Sequence, residues 1–524
     1  MKIEEQMREF DTEPNALAHR GKKILVVALA AATLAACAVD PMPLGIEEQH
    51  AQVEIDKLGI FVEQEAISGP ITLEEALARS LKYNLDHRMM LMEEVQRDSQ
   101  LHLSKYDMLP SLAVNAGYTT RSNDNLNLNR DINTGVLSNN PSLSQDRNLA
   151  YANLGLTWNI LDFGVGYFQA HQNADQFLIA QERKRRVVNQ IVQQVRASYW
   201  RAATAEPLYE QIQPLLVEAR QALVDAREVE TQRLSPALEV LQYQKGLVEV
   251  VRELEALELD LAIAKTELSA LMGLAPGTDF SLALPAEEEM TVPELKLSLE
   301  EMEDMALMNR PELIEEHYQQ RISSIEAKKA LLRLFPGVTL TTSINEDSNS
   351  YLVNQNWAEA GARLTWNLLN LASGPAAMRA ARASEDVAEV RRLALSMAAL
   401  TQVHVSYQQY RRARVDYEQA LLLDDIEQRI YGYVRESANN QAQSPLQQIR
   451  ARMAAIYAEV SSYRAYAEVH SAIANLYVSV GLDLLPQTVE SHDIDVLAEG
   501  IRMVLEDWKR GDLEGYRMGT EASM

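Results

Sequence analysis

A single cysteine, Cys37, stands among 524 residues, so no intramolecular disulfide is possible. Basic charge is also short: 49 Lys plus Arg face 75 Asp plus Glu, a formal net charge of −26. So acidic a chain lacks the clustered cations that phosphate contacts need, which argues against nucleic acid as a partner. Long apolar runs are missing. The hydrophobic fraction is an ordinary 47%, yet no run reaches the ~18–20 residues of a spanning helix. The 9 histidines are scattered, with no His-x-x-x-His pair and no cysteine partner, so no metal site is expected. No P-loop-type glycine-rich phosphate loop occurs, which argues against an ATPase. The acid pairs Glu74-Glu75, Glu300-Glu301 and Asp424-Asp425 read by default as helix starts or solvated faces. The expectation is a protein that is not an enzyme and carries no cofactor.

What the chain does have is two copies of an alternating stretch. In Asn153–Ile160, Leu154, Leu156, Trp158 and Ile160 alternate with polar or small residues. In Ala362–Leu369, Leu364, Trp366 and Leu368 do the same. A period of two marks a strand with one apolar and one polar face. Asp162–Gly166 and Asn370–Pro375 follow as turn chemistry, and a long heptad-like segment follows each. Leu112, Val114, Ala116 and Tyr118 alternate likewise, as do Val338, Leu340, Thr342 and Ile344. Between the first two strands lies a long polar loop, Thr119–Arg147.

The longest apolar run, Ile24–Ala36, follows Lys22-Lys23 and ends at Cys37. Basic flank, short apolar region and small residues describe an export signal over residues 1–36. Leu34-Ala35-Ala36-Cys37 resembles a bacterial lipobox; the resemblance implies cleavage before Cys37 and lipid on its sulfur. Ala38 rather than Asp favours the outer membrane, by analogy with lipoprotein sorting. Met1–His19 carries several acids ahead of the basic pair: either the signal has an extended front or the start lies downstream.

Residues 37–70 show no clear period and contain Pro41, Pro43 and Gly45, which predicts an extended segment. Thr72-Leu73-Glu74-Glu75 resembles a capping box and opens a helix expected to run to about Leu109. The first repeat spans 71–285, with strands about 111–118 and 153–161 and long helices 165–233 and 237–272. Pro207 and Pro214 predict a kink or break in the first of these. Ser235 is expected as N-cap and Pro236 as the first helical residue. The second repeat spans 286–485, with strands about 337–345 and 361–369 and long helices 376–436 and 445–480. The tail, 486–524, holds Ile501, Val504, Leu505 and Trp508 at the spacing of a short amphipathic helix.

The duplication rests on constant offsets. Leu299 follows Leu73, and Pro336 follows Pro110, by 226 residues. Past the polar loop, Trp366 follows Trp158, Tyr407 follows Tyr199 and Gly481 follows Gly273 by 208. Two offsets separated by one loop of different length identify a tandem repeat.

Four strands cannot close on themselves, and an open edge is untenable in lipid. Strands with an apolar and a polar face match outer-membrane barrel strands, so they are expected to close with those of other copies. Three chains of four strands give about 12, an even number with a lumen. Leu154, Leu156, Trp158, Ile160, Leu364, Trp366 and Leu368 are the candidate lipid-facing residues, the tryptophans in the lipid or at headgroup level. Long amphipathic helices paired as antiparallel hairpins make a hollow cylinder when repeated.

The order helix, strand, polar loop, strand, long helix, Ser-Pro tip, long helix, twice over, resembles the outer-membrane efflux channel family typified by TolC. So do LGLTWNILDFG, ARLTWNLLNLASG and ELSALMGLAP, the resemblance covering roughly residues 70–485. It implies a mainly α homotrimer with a 12-stranded transmembrane β-barrel and an α-barrel in the periplasm. It also implies a periplasmic adaptor and an inner-membrane pump as partners, the chain acting as a passive export duct. Lipoprotein members fit Cys37. The tips, Arg233, Leu234, Ser235 and Pro236 in one repeat and Ser444 and Pro445 in the other, are candidate adaptor-docking residues, although neither tip has the glycine usual in the family. Asp424 and Asp425 are candidates for the periplasmic entrance; the alternative is that Asp425 pairs with Arg429 along the helix. The rival function is a structural or adhesive envelope protein with periplasmic coiled coils. A periplasmic adaptor would need a lipoyl-like or β-sandwich segment, and none is visible.

Overall fold

The computed structural model describes residues 42–60, 64–232, 236–284, 290–292, 295–439, 445–483 and 493–510. The chain divides into a short unit through residue 62 and a main unit from residue 63. Residues 1–36, expected to be an export signal, and Cys37 lie outside the described residues.

Among its described residues the short unit has the helix α1 (Ile46–Ile60), with no buried residue. This corrects the extended segment expected over 37–70. Its apolar residues have no helical period, so pattern reading misses it. It forms on propensity, with Glu47 and Glu48 in the first turn and Lys57 in the last.

The main unit opens with α2 (Leu73–Tyr83), capped by Thr72, whose Oγ1 accepts the Glu75 N–H at 3.2 Å. The helix expected to run to Leu109 is two helices, because Asn84 is extended (φ −65, ψ 128) and restarts the chain as α3 (Leu85–Tyr106). Asn84 Oδ1 accepts from the backbone of Asp86 at 2.9 Å and His87 at 3.2 Å. The second repeat does the same: α6 (Leu299–Asn309) starts from a capping box of Ser298 and Glu301, and Arg310 (φ −66, ψ 128) separates it from α7 (Pro311–Leu332).

The strands are β1 (Ser111–Thr120), a two-residue ribbon of β2 (Leu126–Asn127) and β3 (Ser142–Leu143), β4 (Asn148–Asn159), β5 (Gly337–Asp347) and β6 (Asn356–Thr365). β1, β4, β5 and β6 form one antiparallel sheet in that order. The long helices are α4 (Ile160–Gln232), α5 (Ala237–Leu271), α8 (Leu369–Asn439) and α9 (Pro445–Ser479), with α10 (Ile494–Arg510) last. At 73 residues, α4 is roughly 110 Å long.

Three expectations about these elements change. The runs Asp162–Gly166 and Asn370–Pro375 are first turns of α4 and α8 rather than loops. The reason is a pair of asparagine caps 208 residues apart. Asn159 Oδ1 accepts the Leu161 N–H at 3.0 Å, and Asn367 Oδ1 accepts the Leu369 N–H at 3.1 Å. Second, β6 starts and ends earlier than the expected 361–369, since Ala358, Ala360 and Ala362 give little apolar contrast to read. Third, α4 runs unbroken past Pro207 and Pro214. Packing of Ile212, Leu215, Leu216 and Ala219 against α5 and α9 outweighs the lost backbone bonds.

The core lies where the repeats meet. Tyr199 of α4 donates its hydroxyl to the carbonyls of Ile71 (3.1 Å) and Ala283 (2.5 Å), fastening the bridge between Ile71 and Leu282. Gly273 (φ +71) lies against Tyr83 at the α2–α3 break, and Gly481 (φ +84) against Asn309 and Arg310 at the α6–α7 break. A Cβ at Gly481 would come within 2.7 Å of the Asn309 backbone, so space and φ both require glycine there. The equivalent junctions show the duplication in three dimensions. The helix α10 buries Ile494, Leu497, Ile501, Val504, Leu505 and Trp508, and packs on α2.

Candidate functional site

The four-stranded sheet has two different faces, and neither is covered by the chain itself. Directly paired residues share a face. One face carries the rows Leu112/Leu156/Thr342/Ala360, Val114/Leu154/Ile344/Ala358 and Trp158/Leu340/Ala362. Leu112, Val114, Ile344 and Leu364 on it are exposed. The opposite face carries Ser111/Thr157/Thr341/Gly361, Ala113/Gly155/Ser343/Glu359 and Asn115/Asn153/Asn345/Trp357. Asn115 Nδ2 donates to Asn153 Oδ1 at 2.9 Å, and Asn345 Nδ2 to Ser343 Oγ at 3.0 Å. An apolar face exposed over four strands, backed by an amide-rich one, fits lipid on one side and water on the other.

Leu154, Leu156, Trp158 and Leu364 lie on the apolar face. Ile160, Trp366 and Leu368 do not belong to strands: Ile160 opens α4, and the other two follow the end of β6. The asparagine caps end the alternation sooner than the sequence pattern does. Trp158 and Trp366 both sit where strand gives way to helix. Trp158 meets Phe163 edge-on at 5.7 Å, and the Trp366 indole donates to the Leu334 carbonyl at 3.0 Å. Trp357 and the asparagine row were missed, because the register of β6 is set by pairing with β5.

Below the sheet the helices pack in the order α3, α4, α7, α8. Charge pairs fix the first two contacts. Lys184 of α4 donates to Glu94 of α3 at 2.6 Å, and Gln181 to the same carboxylate at 3.0 Å. Burial alone would raise the Glu94 carboxyl; the two donors overcome it and hold the group below its ordinary range. Arg183 of α4 pairs with Glu315 of α7 at 2.7 Å, and Asp175 takes a forked contact from Arg321. Among the described residues, the outer flanks of this row have no partner within the chain. On α3, Leu85, Met89, Met92, Leu103 and Tyr106 are exposed at the threes and fours of a packing seam; on α8, Val387, Val390, Met397 and Val405 are exposed. β1 follows α3, and β6 precedes α8, so the edges of sheet and helix row coincide.

Arg185 joins three elements and was not found by sequence reasoning. Its Nε donates to Asp483 at 2.7 and 2.6 Å, its Nη1 to Glu182 at 2.9 Å, and its Nη2 to the carbonyls of Asn309 (3.0 Å) and Gly481 (3.1 Å). Nothing in the basic run Arg183–Arg186 reveals which of its members has partners almost three hundred residues away.

At the far ends of the helices, α4–α5 and α8–α9 form antiparallel hairpins, and α9 packs on α4 and α5. Arg233, Leu234, Ser235 and Ser444 fall outside the described residues. Pro236 is the cap rather than the first helical residue: its ψ of 130 is extended, and its carbonyl accepts from Glu239 (3.1 Å) and Val240 (3.2 Å). Pro445 opens α9. Asp424 accepts from Gln428 at 3.2 Å, and Asp425 pairs with Arg429 at 3.5 Å, both along α8. Among the described residues no group of three potential metal ligands occurs, and no helix is long and apolar enough to cross a membrane.

No family model matches the chain. A probable outer membrane lipoprotein of Salmonella typhimurium, SilC, is 25% identical over 282 residues, covering 52% of this chain and 55% of that protein. The chain thus spans about half the length of this curated relative. The Campylobacter jejuni CmeC outer membrane channel superposes with a TM-score of 0.62 at 13% identity, over 87% of this chain and 96% of that one. The open state of the Neisseria gonorrhoeae MtrE outer membrane channel gives a TM-score of 0.60 at 14% identity, over 80% and 94%. With its doubled helix–hairpin–helix order and single four-stranded sheet, the chain has the fold of the TolC-like outer-membrane channels.

Proposed function

We propose that the protein is the lipid-anchored outer-membrane duct of a tripartite export system. Three copies close β6 of one chain on β1 of the next, giving about 12 strands, and α8 on α3 directly below. The observation that carries this reading is the coincidence of the two open flanks: one rotation satisfies the unpaired strand edges and the exposed apolar seams together. The apolar sheet face then meets lipid, and the row of Asn115, Asn153 and Asn345 meets the aqueous lumen. A pump in the inner membrane supplies the energy, reached through a periplasmic adaptor. Arg233, Leu234, Ser235, Pro236, Ser444 and Pro445 form the ends that the adaptor touches, and Asp424 and Asp425 contribute carboxylates near the entrance. The resemblance of SilC, described as a lipoprotein, supports lipid on Cys37.

Planar-bilayer recording tests the duct. The purified protein is expected to form discrete conducting channels, and Asp424→Ala with Asp425→Ala to change cation selectivity or divalent block. Replacing Arg233 and Leu234 by Asp should leave bilayer conductance intact while abolishing export in cells. Absence of any conductance would favour the structural envelope protein instead; normal export by the tip variant would remove the docking role. For the anchor, labelled palmitate should enter the wild-type protein and not Cys37→Ser, and equal labelling would refute attachment at that sulfur.

A further inference from the structure

Where α2, α4, α9 and α10 converge, the chain lines a half-open pocket of about 230 Å³. Its wall is largely aromatic. Trp200, Tyr477 and Trp508 line it with Leu505, and Trp508 stands edge-on to Tyr477 at 4.7 Å between centroids. Its one cation is Arg196, only 4% exposed. Among the described residues, that guanidinium has one hydrogen bond, from Nη2 to the His470 carbonyl at 3.3 Å. Arg196 Nε and the indole N–H groups of Trp200 and Trp508 are buried without an acceptor among the described residues.

The electrostatics are one-sided. Glu74 on the same wall attracts Arg196 through space, but the two form no ion pair. Burial pulls the Arg196 pKa down to about 10, which still leaves it charged at neutral pH. A desolvated, unpaired cation is costly, and three unanswered N–H donors add to that cost. Water would serve the indoles but would not neutralise the charge. An oxygen-rich anion answers both. The volume holds on the order of eight water-sized groups, which fits a single-ring acid. The acid Glu74 restricts the occupant to one negative charge.

We propose that this cavity binds a small aromatic monocarboxylate, its carboxylate on Arg196 and its ring among Trp200, Tyr477 and Trp508. Recognition of the carboxylate by the guanidinium is a charge-assisted pairing, and the ring takes edge-to-face contacts. The α10 helix supplies Leu505 and Trp508, so the C-terminal helix closes one side of the site. The site lies in the helical part and is independent of whether the protein conducts.

The test is calorimetric titration of the full-length protein in detergent with benzoate and with its neutral isostere benzamide, followed in parallel by tryptophan fluorescence. Benzoate should bind saturably, one per chain, and quench emission. Benzamide should bind about tenfold more weakly or worse. Arg196→Gln should lose benzoate binding, and Trp508→Phe, which keeps a ring and removes the N–H, should weaken it about threefold to tenfold. Absence of saturable benzoate binding by the wild type, equal affinity for benzamide, or wild-type affinity in folded Arg196→Gln would each overturn the proposal. The isostere comparison needs no variant, so a folding defect in Arg196→Gln does not shield it.

Discussion

Met89→Asp with Met92→Asp is expected to leave each chain folded and to abolish its assembly into a closed ring. Met89 is 57% exposed and Met92 59%, on the flank of α3 that no other described element covers. Within one chain their replacement therefore removes little buried surface, and helicity by circular dichroism should be retained. In the proposed trimer the same residues belong to the seam that faces α8 of the next copy. Each lost methionine forgoes about 1.5–3 kcal/mol of burial, and each aspartate must be desolvated without a partner. Together the two changes weaken every interface by on the order of 5 kcal/mol or more, at least a thousandfold in association. Mass photometry in detergent should report monomers where the wild type gives trimers, and bilayer conductance should vanish with assembly. Persistent trimers of the double variant would mean that α3 faces water and that the ring closes elsewhere.

Arg185→Met is expected to destabilise the chain by about 2–3 kcal/mol, the cost of leaving part-buried charges and carbonyls unpaired. The side chain is 26% exposed and answers two carboxylates and two backbone carbonyls. Burial works against its charge, yet Asp483 and Glu182 raise its pKa above the ordinary value. Removing it leaves Glu182 and Asp483 facing each other and two carbonyls unanswered. The effect should be local first: the α6–α7 break and the end of α9 lose their shared contact with α4. Arg185→Lys should recover less than half of the loss, because an ammonium lacks the fork that spans three directions. Chemical denaturation and hydrogen exchange at Asn309–Arg310 and Gly481 would measure it. A loss under about 1 kcal/mol would show that the ion pairs barely exceed their desolvation cost.

Some of the molecule was legible from the sequence because its signals are local or periodic. The alternation of Leu154, Leu156 and Trp158 needs only the two-residue period of a strand. Ser298 and Glu301 form a capping box because their spacing matches the first turn of a helix. The duplication was legible because two offsets persisted through hundreds of residues, and Gly273 and Gly481 occupy matching junctions for a backbone reason that any sequence must meet. The spacing of Leu85, Met89 and Met92 was also present to be read, but periodicity alone does not say whether a neighbour lies in the same chain or another.

Tertiary structure decided the rest. The helix α1 is the exception that no packing decides: it has no apolar face and no buried residue, and local propensity forms it. The strand ends depend on Asn159 and Asn367 turning their side chains onto the next backbone N–H groups, which moved Ile160, Trp366 and Leu368 out of the sheet. The side on which Trp357 projects follows from pairing with Asn345 across β5, a register that a one-residue slip would reverse. Arg185, within a basic run, and Arg196, between Val195 and Ala197, are both arginines of α4, and neither neighbourhood in the sequence names a partner. The fold surrounds one with carboxylates and leaves the other against an aromatic cavity. By itself the sequence determined the repeat, through its constant offsets, and the long helices and two-faced strands, through periodicities set by neighbours within a few residues. Only the packing of distant helices decided which charges are paired and which flanks stay open, because that depends on groups brought together across almost three hundred residues.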